Sequence, residues 1–175
     1  MAASFNGFVQ LGSVIRVFIV FTDGSRTPNN TSSAPTYRVH GPTGLVGSQQ
    51  GTMTQGETGT ITGAADNGSG LIRITDADHK LQTGDRITIV NVGGTTEANS
   101  TWVVTVISSS TFDLQGSTFA NPYTSGGTWN LSGFYYVDLT ASTGNGFAAG
   151  KTYTVICEGS ISSVVREESA NFTVV

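Results

Sequence analysis

The segment Phe134–Gly159 constrains the fold more than any other part of the chain. It contains two runs in which apolar and polar residues alternate, joined by the Gly-rich stretch ASTGNGFAAG. The apolar positions are Tyr135, Val137 and Leu139 in the first run, and Tyr153, Val155 and Cys157 in the second. Because successive side chains of a β-strand point to opposite faces, this pattern predicts two strands that each bury one face.

The segment Val14–Phe21, VIRVFIVF, predicts a further strand in which both faces are largely apolar. One face would carry Ile15, Val17, Ile19 and Phe21, and the other Val14, Arg16, Phe18 and Val20. A strand with one solvated face usually alternates apolar with polar residues. Two interpretations therefore stay open: the strand is central in a two-layer structure, or its second face contacts another domain or subunit.

The rest of the chain shows short strand patterns and no sustained helical period, so we predict an all-β protein. One series of short runs, bounded by Gly, Asn, Asp or Ser, is typical of a small barrel. This series comprises Leu71–Thr75, Arg86–Val92, Thr101–Ile107 and Thr111–Leu114. Outside it we expect strands at Thr36–His40, Gly51–Gln55, Ile161–Val165 and Asn171–Val175.

The charge content excludes some classes of partner. Charged residues make up only 11% of the 175 residues, and the formal net charge is −4. The eight Lys and Arg residues are scattered, whereas a nucleic-acid-binding protein needs a basic patch against the phosphates. The N-terminal segment has no basic start, and Arg16 interrupts its apolar part. We therefore predict no nucleic-acid partner, no signal peptide and no membrane span.

Few residues offer catalytic or metal-binding chemistry. Cys157, the only cysteine, is in phase with its apolar neighbours and is predicted to be a buried core residue. A nucleophilic role would need a base, and His40 and His79 are distant in sequence. Asp76, Asp78 and His79 include oxygen and nitrogen ligands, but no second cluster completes a metal site. We predict turn capping here, and no enzyme activity, metal or cofactor.

Two further patterns have simple structural interpretations. The stretch GNGFAAGKTY has Asn145 where a phosphate-binding loop needs glycine, and a strand rather than a helix follows it. We therefore predict a turn. Glu167 and Glu168 adjoin Arg166 in what we expect to be an exposed polar hairpin near the C-terminus. Adjacent strand residues point to opposite faces, so these two carboxylates would form a poor acid–base pair.

The region Ile74–Trp129 carries a series of phrases that resembles a known module. His79 and Leu81 precede TGD, and then come GGTTEAN, VTV, TFDL and YTSGGTW in order. This series is similar to a module of tailed-phage and prophage virion proteins, which is itself described as similar to the first catalytic-cysteine half-domain of ubiquitin-activating enzymes. The resemblance implies a small β-barrel. It implies no ubiquitin chemistry, because this region contains no cysteine.

The flanking segments resemble a phage-associated immunoglobulin-like domain. The matching phrases are VIRVFIVFTD, PTYRVHGPTG, GTMTQ, GFYYVDLTASTGNGFAAGKTYTV and the closing NFTVV. The resemblance implies that the barrel is inserted into a hairpin of this domain. The expected fold is therefore an immunoglobulin-like β-sandwich with an inserted small β-barrel. The sandwich would be split between residues 1–56 and 131–175, and residues 57–130 would form the barrel.

These resemblances imply a structural protein of a phage particle, made in the host cytoplasm and placed on the virion exterior. The leading hypothesis is a capsid decoration or cement protein that binds the major capsid protein or other virion proteins as a homo-oligomer. Expected contact residues are Phe5, Phe8, Phe18, Val20, Tyr123 and Tyr136. Phe5 and Phe8 belong to an N-terminal arm that would dock on a neighbouring subunit or fold back onto the sandwich.

Two alternatives remain. One is a component of the tail, neck or fibre, in which the barrel projects outward. The other is a carbohydrate-binding adhesion module that contacts host-surface glycans. Its candidate stacking residues, if they are exposed together, are Tyr123, Trp129, Tyr135 and Tyr136.

Overall fold

The computed structural model describes residues 6–175, which form strands, turns and two short 3₁₀ turns with no α-helix. This confirms the all-β prediction. The chain divides into two compact units. One unit consists of the residues up to Gln55 together with Gly133–Val175, and the other of Gly56–Ser132. Among the described residues, no helix is long and apolar enough to cross a membrane.

The strands are numbered in chain order. They are β1 (Asn6–Val9), β2 (Val14–Val20), β3 (Thr36–Gly41), β4 (Gly44–Thr52), β5 (Thr54–Gln55), β6 (Thr58–Thr60), β7 (Gly63–Asp66), β8 (Ile72–Thr75), β9 (Arg86–Val90), β10 (Thr101–Ser108), β11 (Thr111–Leu114), β12 (Thr128–Leu131), β13 (Phe134–Thr140), β14 (Lys151–Ile161) and β15 (Val164–Val174).

The split unit is an immunoglobulin-like sandwich of two sheets. One sheet has the order β1-β15-β14-β3-β4, and the other has the order β2-β13-β5. The period-two pattern explains the core, because the in-phase residues of strands from both sheets are buried together. These include Ile15, Val17 and Ile19 from β2, Tyr135 and Leu139 from β13, and Tyr153, Val155 and Cys157 from β14.

The C-terminal hairpin differs from the sequence prediction. We expected a strand at Ile161–Val165 and a polar hairpin around Glu167, but β14 and β15 form one continuous ladder from Lys151↔Val174 to Ile161↔Val164. The turn is Ser162-Ser163, with φ of 50° and 65°, the left-handed values that two-residue hairpin turns use. The strand pattern missed the turn because serine is a weaker signal than Asn-Gly. The polar residues before Ala170 are part of β15 itself.

Strands also occur where side-chain alternation is weak. β4 starts at Gly44 rather than at the predicted Gly51, and β6 and β7 lie in a segment that we did not assign to strands. β7 consists mainly of Gly and Ala, which are depleted in strands. β6 is only three residues long, and β4 has no regular alternation of apolar and polar residues. Their place in the sheets comes from backbone pairing with neighbours that do alternate, such as β3 and β8.

The inserted unit is a small barrel built from one seven-stranded sheet with the order β6-β12-β9-β10-β11-β8-β7. The edge strands β6 and β7 are consecutive in sequence, separated by Ile61 and Thr62. The Ile61 N–H donates to Gly127 O at 3.0 Å, and the Thr62 N–H donates to Thr75 O at 2.9 Å. The chain therefore passes directly from one edge strand to the other while its backbone bonds to Gly127, next to β12, and to Thr75 of β8, which closes the sheet. The interior is filled by apolar side chains that include Ile72, Ile74, Ile87, Phe112, Leu114 and Trp129.

Candidate interaction surface

A group of apolar residues outside the sandwich core lies on the outer face of the three-stranded sheet. The odd-numbered residues of β2 are buried, so its even-numbered residues point away from the core. The register between β2 and β13 places Phe18 beside Tyr136 and Val20 beside Phe134. We define the outer patch as Val14, Phe18, Val20, Phe134 and Tyr136.

Three members of the outer patch are exposed, and Phe134 and Tyr136 are partly buried beside them. Val14, Phe18 and Val20 are 64%, 50% and 38% exposed. The rings of Phe18 and Phe134 have centroids 5.8 Å apart in a tilted arrangement. Because interface cores are enriched in aromatic residues, this cluster has the composition of a protein-binding surface.

One ion pair lies beside the outer patch. Arg16 Nε and an Nη donate to the two carboxylate oxygens of Asp138, each at 2.8 Å. The Arg16 Cζ lies 4.2 Å from the centroid of the Tyr136 ring. The hydrogen bonds from Arg16 lower the pKa of Asp138 despite the opposing effect of desolvation. Both side chains are about half exposed, so the pair contributes little stability. It does fix the guanidinium against the Tyr136 ring.

The outer face of the five-stranded sheet is polar by comparison. Thr154 donates to Asn171 Oδ1 at 2.7 Å, and the hydroxyls of Thr152 and Thr173 are 3.0 Å apart. Arg38 bridges two carboxylates on β14 and β15, Glu158 at 3.4 Å and Glu167 at 2.8 Å. These side chains bind each other, so the part of this face formed by β3, β14 and β15 offers water many satisfied polar groups, although Phe8 and Val165 of the same sheet are 79% and 63% exposed. The two sheets of the sandwich thus differ in that, among the described residues, only the three-stranded sheet carries a cluster of aromatic rings on its outer face.

Three of the six predicted contact residues, Phe18, Val20 and Tyr136, come together in the outer patch. Phe8 lies elsewhere, on β1, where it is 79% exposed. The strand β1 pairs in parallel with β15, so this part of the arm folds back onto the sandwich. Phe5 lies outside the described residues. Sequence reasoning missed Phe134, although it is in phase with Tyr136 and two residues before it.

The sixth predicted residue, Tyr123, belongs to the inserted unit, where it packs against the barrel core. Its hydroxyl donates within 3.1 Å of Ile61 O and 3.0 Å of Gly126 O. Trp129 and Tyr135, which we considered for sugar stacking with Tyr123, are only 2% and 4% exposed. The four candidate aromatics therefore do not form an exposed stacking platform, which removes the reason for a glycan site at these residues.

Asp76, Asp78 and His79 are engaged in separate interactions. Asp76 Oδ2 accepts a hydrogen bond from Trp129 Nε1 at 2.7 Å. His79 Nδ1 accepts from the Leu81 N–H at 3.1 Å, and Nε2 lies 2.9 Å from Ser108 O. These partners fit a neutral imidazole with its proton on Nε2. In the described part of the chain, no three His, Cys, Asp or Glu residues are grouped to hold a metal ion.

The Gly-rich stretch before β14 is a turn, as predicted. A short 3₁₀ turn covers Thr143–Asn145, and Gly146 has a left-handed conformation with φ of 84°. Lys151 begins β14 directly after Gly150. A phosphate-binding loop would need backbone amides at the start of a helix. Here Lys151 is the first residue of the strand β14, so no helix follows the glycines.

Cys157 is a core residue, which confirms its predicted role. It is fully buried, and burial raises the pKa of its thiol to about 12, with a smaller contribution from the Glu168 carboxylate. Since the thiolate is the reactive form, the native protein should not react with a thiol reagent at neutral pH. We expect stoichiometric labelling only after denaturation, measured by mass spectrometry. Rapid labelling of the native protein would contradict this placement.

Comparisons with known proteins found one family model that matches most of the inserted unit. Residues 67–131 match the family model described as the ubiquitin-activating enzyme E1 FCCH domain. The barrel resembles that domain. The match covers less than half of the chain, and it confirms the resemblance inferred for the barrel from its sequence. Because the matched residues contain no cysteine, the similarity is one of fold.

The other comparisons add no argument about activity. No curated protein matches the chain. One solved structure, from a study of glycolipid glycan hydrolysis by a family 123 glycoside hydrolase from Clostridium perfringens, is 9% identical with a TM-score of 0.27. The alignment covers 98% of this chain and 22% of that chain, so the present chain spans about a fifth of that protein. At this TM-score the similarity supports no conclusion about fold or function.

Proposed function

We propose that this chain is a non-enzymatic structural protein on the exterior of a tailed-phage virion, where it decorates the capsid. The observation that carries the proposal is the outer patch, an aromatic surface on an otherwise weakly charged molecule. The setting comes from our interpretation of the sequence phrases in both units as similar to phage virion modules, and the family-model match supports the barrel part of that interpretation. The inserted barrel would then be a second module carried by the capsid-bound sandwich.

The chemistry of the outer patch suits attachment to a protein surface. Aromatic side chains and arginine are the residues that contribute most to binding when they are buried at the centre of an interface. Phe18, Phe134 and Tyr136 supply the apolar area, and the Arg16–Asp138 pair supplies polar contacts beside it. A decoration protein needs only such contacts, repeated at the joints between capsid subunits.

A pair of substitutions tests the proposed surface. We expect Tyr136→Ser to weaken binding to capsids that lack this protein by at least about tenfold, which corresponds to about 1.4 kcal/mol. The matched control is Ile156→Ser, which removes a half-buried apolar side chain from the polar outer face of the five-stranded sheet. This control should bind as the unchanged protein does. Saturation binding to purified heads gives both affinities.

The same assay distinguishes the alternatives when purified heads and tails are used in parallel. Saturable binding to heads supports decoration. Binding to tails alone would replace the capsid assignment with the tail, neck or fibre alternative. Binding to neither would contradict the proposal, and equal losses for the two variants would show that the outer patch is not the binding surface.

A further inference from the structure

The strand β2 is an edge strand that lacks most of the usual protection against pairing. It lies at one end of the order β2-β13-β5, and no other strand among the described residues pairs with it. Its register with β13 is unbroken from Val14↔Thr140 to Val20↔Phe134. Natural proteins usually shorten, bulge or charge their edge strands, or interrupt them with proline. β2 has no bulge and no proline, and Arg16 is its only charged residue.

The hydrogen-bond phase determines which residues face the edge. The Phe21 N–H donates to Gly133 O, and the Ala141 N–H donates to Ser13 O, at 2.8 and 2.9 Å. Odd-numbered residues of this segment therefore bond to the β13 side. Since the direction of the backbone N–H and C=O groups alternates along a strand, those of Phe18 and Val20 point to the open edge of β2. The side chains of Phe18 and Val20 also lie in the outer patch, so a strand that pairs with this edge would contact both their backbone groups and their side chains.

We propose that a second copy of this chain pairs antiparallel with β2 through a two-fold axis at Val17. The two three-stranded sheets would become one continuous sheet. In this register every residue of β2 has a partner: Val14 lies opposite Val20 of the second copy, Ile15 opposite Ile19, and Arg16 opposite Phe18. The interface is isologous, because each contact occurs twice.

Charge selects this register over its neighbours. An axis at Arg16 would place the two guanidinium groups directly opposite each other, and like charges in that position are destabilising. It would also pair only residues 14–18. An axis at Phe18 would pair only residues 16–20. With the axis at Val17, all seven residues pair, the two guanidinium groups are offset from each other, and each Arg16, still bound to its own Asp138, lies opposite Phe18 of the second copy.

Self-complementarity is the reason for choosing a second copy as the partner. Across the axis, every apolar residue of β2 other than Phe18 meets an apolar residue, and Phe18 lies opposite Arg16, the single charged residue. An unrelated strand would match this pattern only by chance. Pairing would also join two outer patches into one surface. The dimer does not depend on capsid binding, because its backbone hydrogen bonds form along the edge of β2.

Two substitutions at Phe18 test this register. Both Phe18→Lys and Phe18→Glu remove the same ring, but they place opposite charges against Arg16 of the second copy. We expect Phe18→Lys to weaken the dimer at least about tenfold, because like charges oppose at two sites. Phe18→Glu should retain a dimer whose dissociation constant rises with salt, since an ion pair replaces the ring. Sedimentation equilibrium of the full chain measures both.

Amide hydrogen exchange adds a residue-level readout. The Val17 and Ile19 amides bond to β13 and should be protected at every protein concentration, whereas the Phe18 and Val20 amides should gain protection as dimers form. A monomer at all concentrations would overturn the proposal. The proposal would also be overturned if Phe18→Lys and Phe18→Glu weakened the dimer equally, or if neither changed its dissociation constant. Protection of the Phe18 amide that appears only when the protein is bound to capsids would overturn it as well. A monomer that still binds heads would overturn this dimer and leave the proposed function standing.

Discussion

Replacing Trp129 with alanine should lower the free energy of unfolding of the inserted unit by about 3–5 kcal/mol, the range measured for large buried aromatics. Trp129 is 2% exposed, and its ring packs edge-on against Phe112 with centroids 6.4 Å apart. Its Nε1 donates to the buried Asp76 carboxylate at 2.7 Å. Truncation therefore opens a cavity and also removes a hydrogen bond from a buried carboxylate, which adds to the cost.

The measurement can be confined to the inserted unit because Trp102 and Trp129 are the only tryptophans in the chain. In the alanine variant, Trp102 fluorescence during urea unfolding reports this unit alone. Trp102→Phe is the matched control: Trp102 is only partly buried, and its Nε1 donates to a backbone carbonyl, Ala98 O, at 2.8 Å. The control should lose much less stability. A loss below about 1 kcal/mol for Trp129→Ala would contradict the core position of Trp129.

Replacing Gly133 with alanine should destabilise the sandwich by about 2–5 kcal/mol, the sum of left-handed strain and overpacking. Gly133 has φ of 75°, and a Cβ there would meet Phe21 O and would lie 2.9 and 3.0 Å from the backbone N and O of Asn29. Backbone atoms cannot relieve such a clash by changing rotamer, as a side chain can. Gly133 is also held in place, since its O accepts from the Phe21 N–H and its N–H donates to Asn30 Oδ1, each at 2.8 Å.

Gly150→Ala is the control that separates the cost of the left-handed backbone conformation from the cost of the steric clash at Gly133. Gly150 has φ of 72°, but no atom lies within 4 Å of the position that a Cβ would take there. Gly150→Ala should therefore cost only the left-handed strain, about 1–2 kcal/mol. The sandwich contains the chain's single cysteine, so Cys157 labelling against urea concentration reports its unfolding. Tryptophan fluorescence should be unchanged in both variants. Equal destabilisation by the two substitutions would show that the backbone around Phe21 and Asn29 can move.

The alternation of side chains predicted those elements in which one face is buried. It identified β2, β13 and the start of β14, and it placed Cys157 in the core, because period two is visible wherever apolar and polar residues take turns. It failed for β7, whose sequence GAAD has no large side chain to reveal a face. It also failed at Ser162-Ser163, where the turn follows from the pairing of two long strands rather than from a strong turn signal.

Three members of the outer patch, Phe18, Val20 and Tyr136, were predicted as contact residues, but the surface that they form with Val14 and Phe134 was not. Phe18 and Tyr136 are far apart in sequence, and only the β2–β13 register brings them side by side. The Arg16–Asp138 pair, separated by 122 positions, depends on the same register. Sequence pattern gives the direction of each side chain along its own strand. It does not give the partner strand, so it could not show that Tyr123 would be used for barrel packing instead.

The pairing at the ends of each unit has a consequence for how such a chain can be rebuilt. In the barrel, Thr58 pairs with Asn130, and the Leu131 N–H donates to Glu57 O at 2.9 Å. In the sandwich, Gln55 pairs with Tyr135. In each unit, strand pairing therefore holds close together the two chain ends at the junction with the other unit. A tight hairpin could bridge the sandwich after excision of the barrel, and the same junction could accept a foreign cargo domain whose termini are adjacent.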